Sequence, residues 1–95
     1  MLLAIDVGNT TIESGVIEGR QITVSWRLRT DRGRLADEYG VQVCELLWNH
    51  DILRSRFDGI VISSVVPSAG RELSIMCNRF FGHSPLIVSE KLDLG

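Results

Sequence analysis

The sequence predicts an α/β domain on a mixed five-stranded sheet, with its elements in the order β-β-β-α-β-α-β. Three observations predict it. Ile22, Val24, Trp26 and Leu28 alternate with Thr23, Ser25, Arg27 and Arg29, the period of a half-buried strand. Ala36, Tyr39, Val43, Leu46 and Leu47 recur at spacings of three and four, which gathers them on one helical face. The run from Ile60 to Val66 is apolar except for two serines, as in a strand covered on both sides.

Taken in order, Leu2 to Val7 reads as a buried strand and Thr11 to Glu18 as a second. Gly19-Arg20 turns the chain into a third, Gln21 to Arg29, so the three form an antiparallel meander with the third towards an edge. Thr30 to Arg34 is a polar break containing Gly33. Helical spacing starts after it, with Asp37 and Glu38 in the first turn, where negative charge suits the helix dipole. Asn49-His50-Asp51 ends that helix, and Asp58-Gly59 introduces the fourth strand, which Pro67 closes because it cannot donate to a ladder. Leu73, Met76, Cys77 and Phe80 mark one face of a second helix, stopped by Gly82. Pro85 to Val88 supplies the fifth strand, and the chain runs out in Ser89 to Gly95. Strand–helix–strand crossovers join parallel strands and are right-handed. Strands one, four and five are therefore expected to be parallel and central, with the meander extending the other side.

Ninety-five residues, 44% of them hydrophobic, make one small domain able to bury roughly two thirds of its unfolded surface. Ten basic against twelve acidic side chains leave a net charge of −2, which gives no electrostatic case for nucleic acid or an anionic membrane. No apolar run approaches the ~20 residues that span a bilayer. The first residues carry no charged leader, so no signal peptide is expected. Cys44 and Cys77 have no metal-ligand spacing and no short-range pairing, and read as small hydrophobes in a reducing, cytoplasmic setting.

The chemistry concentrates in Asp6-Val7-Gly8-Asn9-Thr10, a polar turn leaving the first strand. Gly8 opens backbone angles closed to other residues and lets main-chain N–H groups approach a ligand. Successive N–H groups in such a turn form an anion-binding concavity. Asp6 repels a phosphate directly, so its sensible role is to hold a divalent cation that bridges phosphate oxygens. An ordinary hairpin turn explains the same residues without any ligand. In open α/β sheets ligands sit beyond the carboxyl ends of the parallel strands. Ser63-Ser64 ends the fourth strand, and if strands one and four are neighbours, both polar clusters face one crevice. His50 and His83 occupy helix-terminal or loop positions and read as structural. Trp26 and Trp48 read as core or interface anchors, and Arg27, Arg29, Arg32 and Arg34 as a solvated face.

Four stretches carry a family likeness: Ile5 to Thr10, Arg29 to Arg32, Ala36 to Gly40, and Ile62 to Pro67, with Met76 to Phe81 resembling a further helix. On these the chain resembles the N-terminal part of the type III pantothenate kinases, in the superfamily of sugar kinases, actin and heat-shock ATPases. The resemblance implies a ribonuclease-H-like (actin-like ATPase) half-domain, here residues 1 to 95 as an N-terminal nucleotide-binding half without its C-terminal partner. It implies phosphoryl transfer from ATP to pantothenate, the first step towards coenzyme A, by a cytoplasmic homodimer using Mg2+ and a monovalent cation (K+ or NH4+). Asp6, Val7, Gly8, Asn9, Thr10, Thr11, Ile12 and Glu13 match the family's first phosphate motif, with Asp6 as the magnesium-associated carboxylate.

Two local departures stand out. Thr11 replaces a frequent asparagine, and Leu35 replaces a helix-capping threonine, for which Thr30 or Asp31 are the upstream substitutes. The family's Gly-x-Asp-Arg segment, with its catalytic aspartate, its second phosphate motif and its cation ligand are not found in residues 1 to 95. The catalytic set within this chain is therefore none, and the 95 residues are expected to be inactive alone. Two rival readings are a non-catalytic transcriptional accessory regulator on the same fold, and an actin-like ATPase module with another substrate.

Overall fold

The computed structural model describes residues 1–88; Ser89 to Gly95 lie outside the described residues. Its sheet has the order β3-β2-β1-β4-β5, formed by β1 (Leu2–Val7), β2 (Thr11–Glu18), β3 (Gln21–Arg29), β4 (Gly59–Ser64) and β5 (Leu86–Val88). β1, β2 and β3 are the expected antiparallel meander, and β1–β4 and β4–β5 are the expected parallel pairs. β5 is not central. It is a three-residue strand at the edge of the described sheet, with Leu86 and Ile87 exposed.

Helix α1 (Ala36–Asn49) and helix α2 (Pro67–Met76) pack on each other and against one face of the sheet. Alternation along the strands decides which residues meet them. Leu3, Ile5 and Val7 of β1 lie beside Val16, Ser14 and Ile12 of β2 and beside Ile60, Ile62 and Ser64 of β4. The apolar members of that set join Tyr39, Val43, Leu47, Ala69, Leu73 and Met76 in a single core. Trp26 belongs to it as well, whereas Trp48 stands 72% exposed on α1 and is no core anchor. Tyr39 is fully buried, and its hydroxyl donates to the Asp31 carbonyl at 3.0 Å. Burial raises its pKa above the ordinary phenol value, only partly opposed by that hydrogen bond.

The ends of the helices differ from the sequence expectation. Neither Thr30 nor Asp31 caps α1. Leu35 offers no side-chain acceptor, and the orphan N–H groups find two glutamates instead. Leu35 N–H donates to Glu38 Oε1 at 3.0 Å, and Ala36 N–H donates to Glu72 Oε1 of α2 at 3.0 Å. At the other end Asp51 turns the chain with φ of 59°, and its N–H returns to the Trp48 carbonyl. β4 also ends sooner than predicted, at Ser64, because Val65 and Val66 lead into α2 and Pro67 takes the first helical position. A π-turn, Cys77–Phe81, extends α2 and stops at Gly82, whose φ of 67° suits a residue without Cβ.

The π-turn delivers Phe80 and Phe81 to the helix end of the molecule. Phe81 meets Phe57 edge to face, with centroids 5.6 Å apart. Phe80 lies flat against α1 at Gly40, where an added Cβ would fall inside the van der Waals radius of the ring. Gly40→Ala gains about 1 kcal/mol of helix propensity but forces this contact apart. Overpacking of that kind costs about 1–3 kcal/mol. The variant is expected to melt several degrees lower, as thermal unfolding followed by circular dichroism would show; an unchanged or higher Tm contradicts the packing.

Both cysteines are free thiols. Burial pushes the Cys77 thiol up to about 12, and it raises half-buried Cys44 by less. Since the thiolate is the nucleophile, iodoacetamide at pH 8 should alkylate Cys44 first and Cys77 only as the protein unfolds. Mass mapping of a time course reads this directly.

Candidate functional site

Because β1 and β4 are parallel neighbours, their carboxyl ends open on the same side of the sheet. Asp6 stands opposite Ser63 and Val7 opposite Ser64. On its other flank Asp6 faces Glu13 of β2, and Glu13 faces Arg27 of β3. Residues directly opposite share a face, so Ser63, Asp6, Glu13 and Arg27 form one polar row across four strands, on the side away from the helices. Its inner members are buried: Asp6 is 5% exposed and Ser63 2%. Its outer members are in solvent, where Arg27 Nε lies 3.9 Å from Glu13 Oε1. An open groove of about 290 Å³ runs along the same face, lined by Gly15, Ile22 and Ser25 beside that pair.

The two serines do not act together. Successive strand residues point to opposite faces, so Ser64 turns towards α2, with Gly70 close enough that a Cβ there would come within 3.1 Å of its hydroxyl. Ser64 Oγ accepts from Val66 N–H at 3.0 Å and donates to the Val66 carbonyl at 2.8 Å. It is a turn former. Only Ser63 shares a face with Asp6.

Residues 8 to 10 make a short hairpin turn between β1 and β2, closed by Gly8 N–H donating to the Thr11 carbonyl at 2.9 Å. Gly8 does not use a left-handed backbone; among the described glycines only Gly19 and Gly82 have positive φ. Glycine is favoured there by close approach instead, since a Cβ would sit 3.1 Å from the Thr11 oxygen and the backbone would have to give by a few tenths of an ångström. Val7 and Ile12 are buried in the helix-side core, so anything they offer a ligand comes from their main chain. Asn9 and Thr10 are exposed at the tip, Thr11 is half-buried, and Glu13 is exposed.

In the sequence Thr30 to Arg34 reads as a polar break and Arg32 as part of a solvated face. The structure fastens this segment to the turn. Thr30 Oγ1 donates to the Gly8 carbonyl at 2.8 Å, and Thr30 N–H donates to the Thr10 carbonyl at 2.9 Å. Arg32 Nη2 donates to Asn9 Oδ1 at 3.2 Å, and Nη1 reaches the Asn9 carbonyl at 3.5 Å. Asp31 is used locally: its Oδ1 accepts Gly33 N–H at 2.9 Å. Arg32 is the site residue the sequence hid, since it read as one of four solvated arginines. Arg27 and Arg34 are also paired, the latter with Gln42 Oε1 at 2.6 Å and Asp31 at 3.7 Å.

A divalent cation would find one buried carboxylate here rather than a protein cage, as no three His, Cys, Asp or Glu side chains cluster among the described residues. That donor set fits Mg2+, which keeps several waters and takes one or two carboxylates plus substrate phosphates. His83 Nε2 lies 2.9 Å from the Phe57 carbonyl, a structural contact remote from the turn in sequence and element.

Comparison with known proteins gives a consistent picture. The sequence profile of a family described as type III pantothenate kinase matches residues 2–95. Type III pantothenate kinases of Syntrophotalea carbinolica and Moorella thermoacetica are each 38% identical over 95 residues, which is 100% of this chain and 37% of each relative. The chain thus spans about a third of the length of these curated relatives. Among solved structures, the ethanolamine utilization protein EutJ from Carboxydothermus hydrogenoformans superposes with a TM-score of 0.60 at 16% identity, over 90% of this chain and 43% of that one. At that identity the likeness concerns the fold, which is the ribonuclease-H-like half-domain of the actin-like ATPases.

Thr30→Val keeps the branched side chain but removes the donor to Gly8. The variant is expected to lose about 1 kcal/mol in urea unfolding with an unchanged m-value. A loss below about 0.3 kcal/mol would mean that the hydroxyl does not hold the turn.

Proposed function

The chain belongs to the type III pantothenate kinase family, and from that premise we propose that residues 1–95 form the ATP-phosphate-binding half-domain of a kinase that phosphorylates pantothenate, the first step towards coenzyme A. One observation carries the reading: Asp6 and Ser63 stand in register at the carboxyl ends of two parallel central strands, with the Gly8–Thr10 turn directly beyond. That is where open α/β sheets take their ligands.

Phosphoryl transfer depends on placing the phosphates and stabilising their charge. Main-chain N–H groups of the turn, with the Asn9 and Thr10 side chains, hold phosphate oxygens by directed hydrogen bonds. Gly8 keeps the approach open. Asp6 would hold Mg2+ through its carboxylate, and the cation would supply charge neutralisation to the phosphates. Glu13 adds negative charge beside Asp6, and its pairing with Arg27 keeps that charge from repelling the nucleotide. A monovalent cation, the catalytic base and the pantothenate grip belong to segments of the family with no counterpart among these residues. The working protein is a cytoplasmic homodimer acting on a small-molecule substrate, with no role for nucleic acid or membrane. The described residues contain no helix long and apolar enough to cross a bilayer.

Calorimetry with Mg-ATP tests the reading. Interactions with charged groups are worth about 1.5–3 kcal/mol, so Asp6→Ala should weaken binding roughly tenfold to a hundredfold. Equal affinity in both proteins would reduce the turn to a hairpin. In a coupled assay, residues 1–95 alone are expected to form no pantothenate-dependent ADP, and measurable turnover would refute the assignment of catalysis to sequence outside them.

A further inference from the structure

Each residue of the Gly8–Thr10 turn is touched by the segment that follows β3. Thr30 takes the Gly8 and Thr10 carbonyls, and Arg32 takes Asn9 between them. Thr30 is thereby anchored twice, which sets the position of a side chain two residues further on. From this we propose that Arg32 is a positioning residue for the phosphate turn. It orients the Asn9 carboxamide so that the Nδ2 donors are presented to the anion.

The chemistry of the contact compels the orientation. A guanidinium carries only donors. The Asn9 atom 3.2 Å from Arg32 Nη2 is therefore the acceptor Oδ1, and the amide nitrogen lies on the opposite side of the carboxamide. Without Arg32, nothing in the contact distinguishes the two ends of an exposed amide, and half of its rotations would turn a carbonyl oxygen towards a phosphate. Oxygen facing oxygen is repulsive; two N–H donors facing it are attractive. The second Arg32 nitrogen, at 3.5 Å from the Asn9 main-chain carbonyl, holds the guanidinium against the same residue. Both nitrogens that approach the turn are engaged with Asn9, and the proposed role of Arg32 is exerted through that residue. Arg32 is exposed and carries no other hydrogen bond or ion pair described here, which makes its attachment to Asn9 the feature that distinguishes it from Arg27 and Arg34.

This inference rests on the phosphate-binding reading of the turn, and a double-mutant cycle in the whole protein separates the two. Mg-ATP affinity by calorimetry, with KM for ATP and kcat, is measured for the wild type, Arg32→Ala, Asn9→Ala and the double variant. Arg32→Ala should weaken Mg-ATP and raise KM for ATP by about threefold to tenfold, the worth of one or two hydrogen bonds, with kcat changed less than twofold. In the double variant Arg32→Ala should add nothing to the loss from Asn9→Ala, and the Tm without nucleotide should stay within a few degrees throughout. If the two losses add, Arg32 acts on the nucleotide directly and the inference fails. If Asn9→Ala weakens binding and Arg32→Ala does not, the inference fails while the phosphate turn stands. If neither substitution alters affinity, the phosphate reading itself falls, and the inference with it. The same cycle built on Arg32→Lys, which keeps the charge but lacks the planar fork, gives the reading should the alanine variant not fold.

Discussion

The pairing of β1 with β4 is the constraint on which the rest of the molecule depends. It is the only contact in the described sheet between the meander and the helical half, and it sets Asp6 against Ser63 residue for residue. Because strand side chains alternate, this one register also decides what faces the helices. A slip of one residue would carry Leu3, Ile5 and Val7 out of the core and bring Asp6 into it. Burying an uncompensated carboxylate there would cost several kcal/mol. Core and candidate site are two faces of the same strand, so the apolar packing on one side enforces the polar row on the other.

The turn beyond β1 shows how a short loop acquires a defined shape without strained backbone. Its glycine has no positive φ and gives clearance from the Thr11 carbonyl. Its conformation is imposed from outside, by Thr30 and Arg32. For the proposed phosphate role, such a preset turn matters because hydrogen-bond donors already in place need no reorganisation when charge arrives. In the proposed function, Mg2+ held by the Asp6 carboxylate would follow the same logic.

Much of this was legible in the residues. The alternation in β3, the spacing in α1 and the Gly82 stop reflect local forces that act over a few residues, and each appears where expected. The polar turn was visible as a carboxylate and a glycine at the end of an apolar strand, although an ordinary hairpin uses the same residues. What was not legible is tertiary. Glu72 lies 36 residues from the N–H group it caps, and no local pattern pairs them. The separation of Ser63 from Ser64 follows from strand alternation but was obscured by reading the pair as one cluster. Arg32 looked like one solvated arginine among several until the fold brought Asn9 to it across 23 positions. The place of β5 at the edge of the described sheet is a matter of topology, which no property of Leu86 to Val88 encodes.

The bond from Ala36 to Glu72 adds a directed tie to the packing of the two helices on each other. Peeling α1 off the sheet exposes a carboxylate acceptor on α2, and fraying α2 strips α1 of its first-turn acceptor. Their detachment is thus a single event rather than two, and amide protons along both should exchange with solvent at a common free energy. The helical layer behaves as one cooperative cover on the core face of β1 and β4, so Leu3, Ile5 and Ile62 meet solvent only when the whole layer lifts.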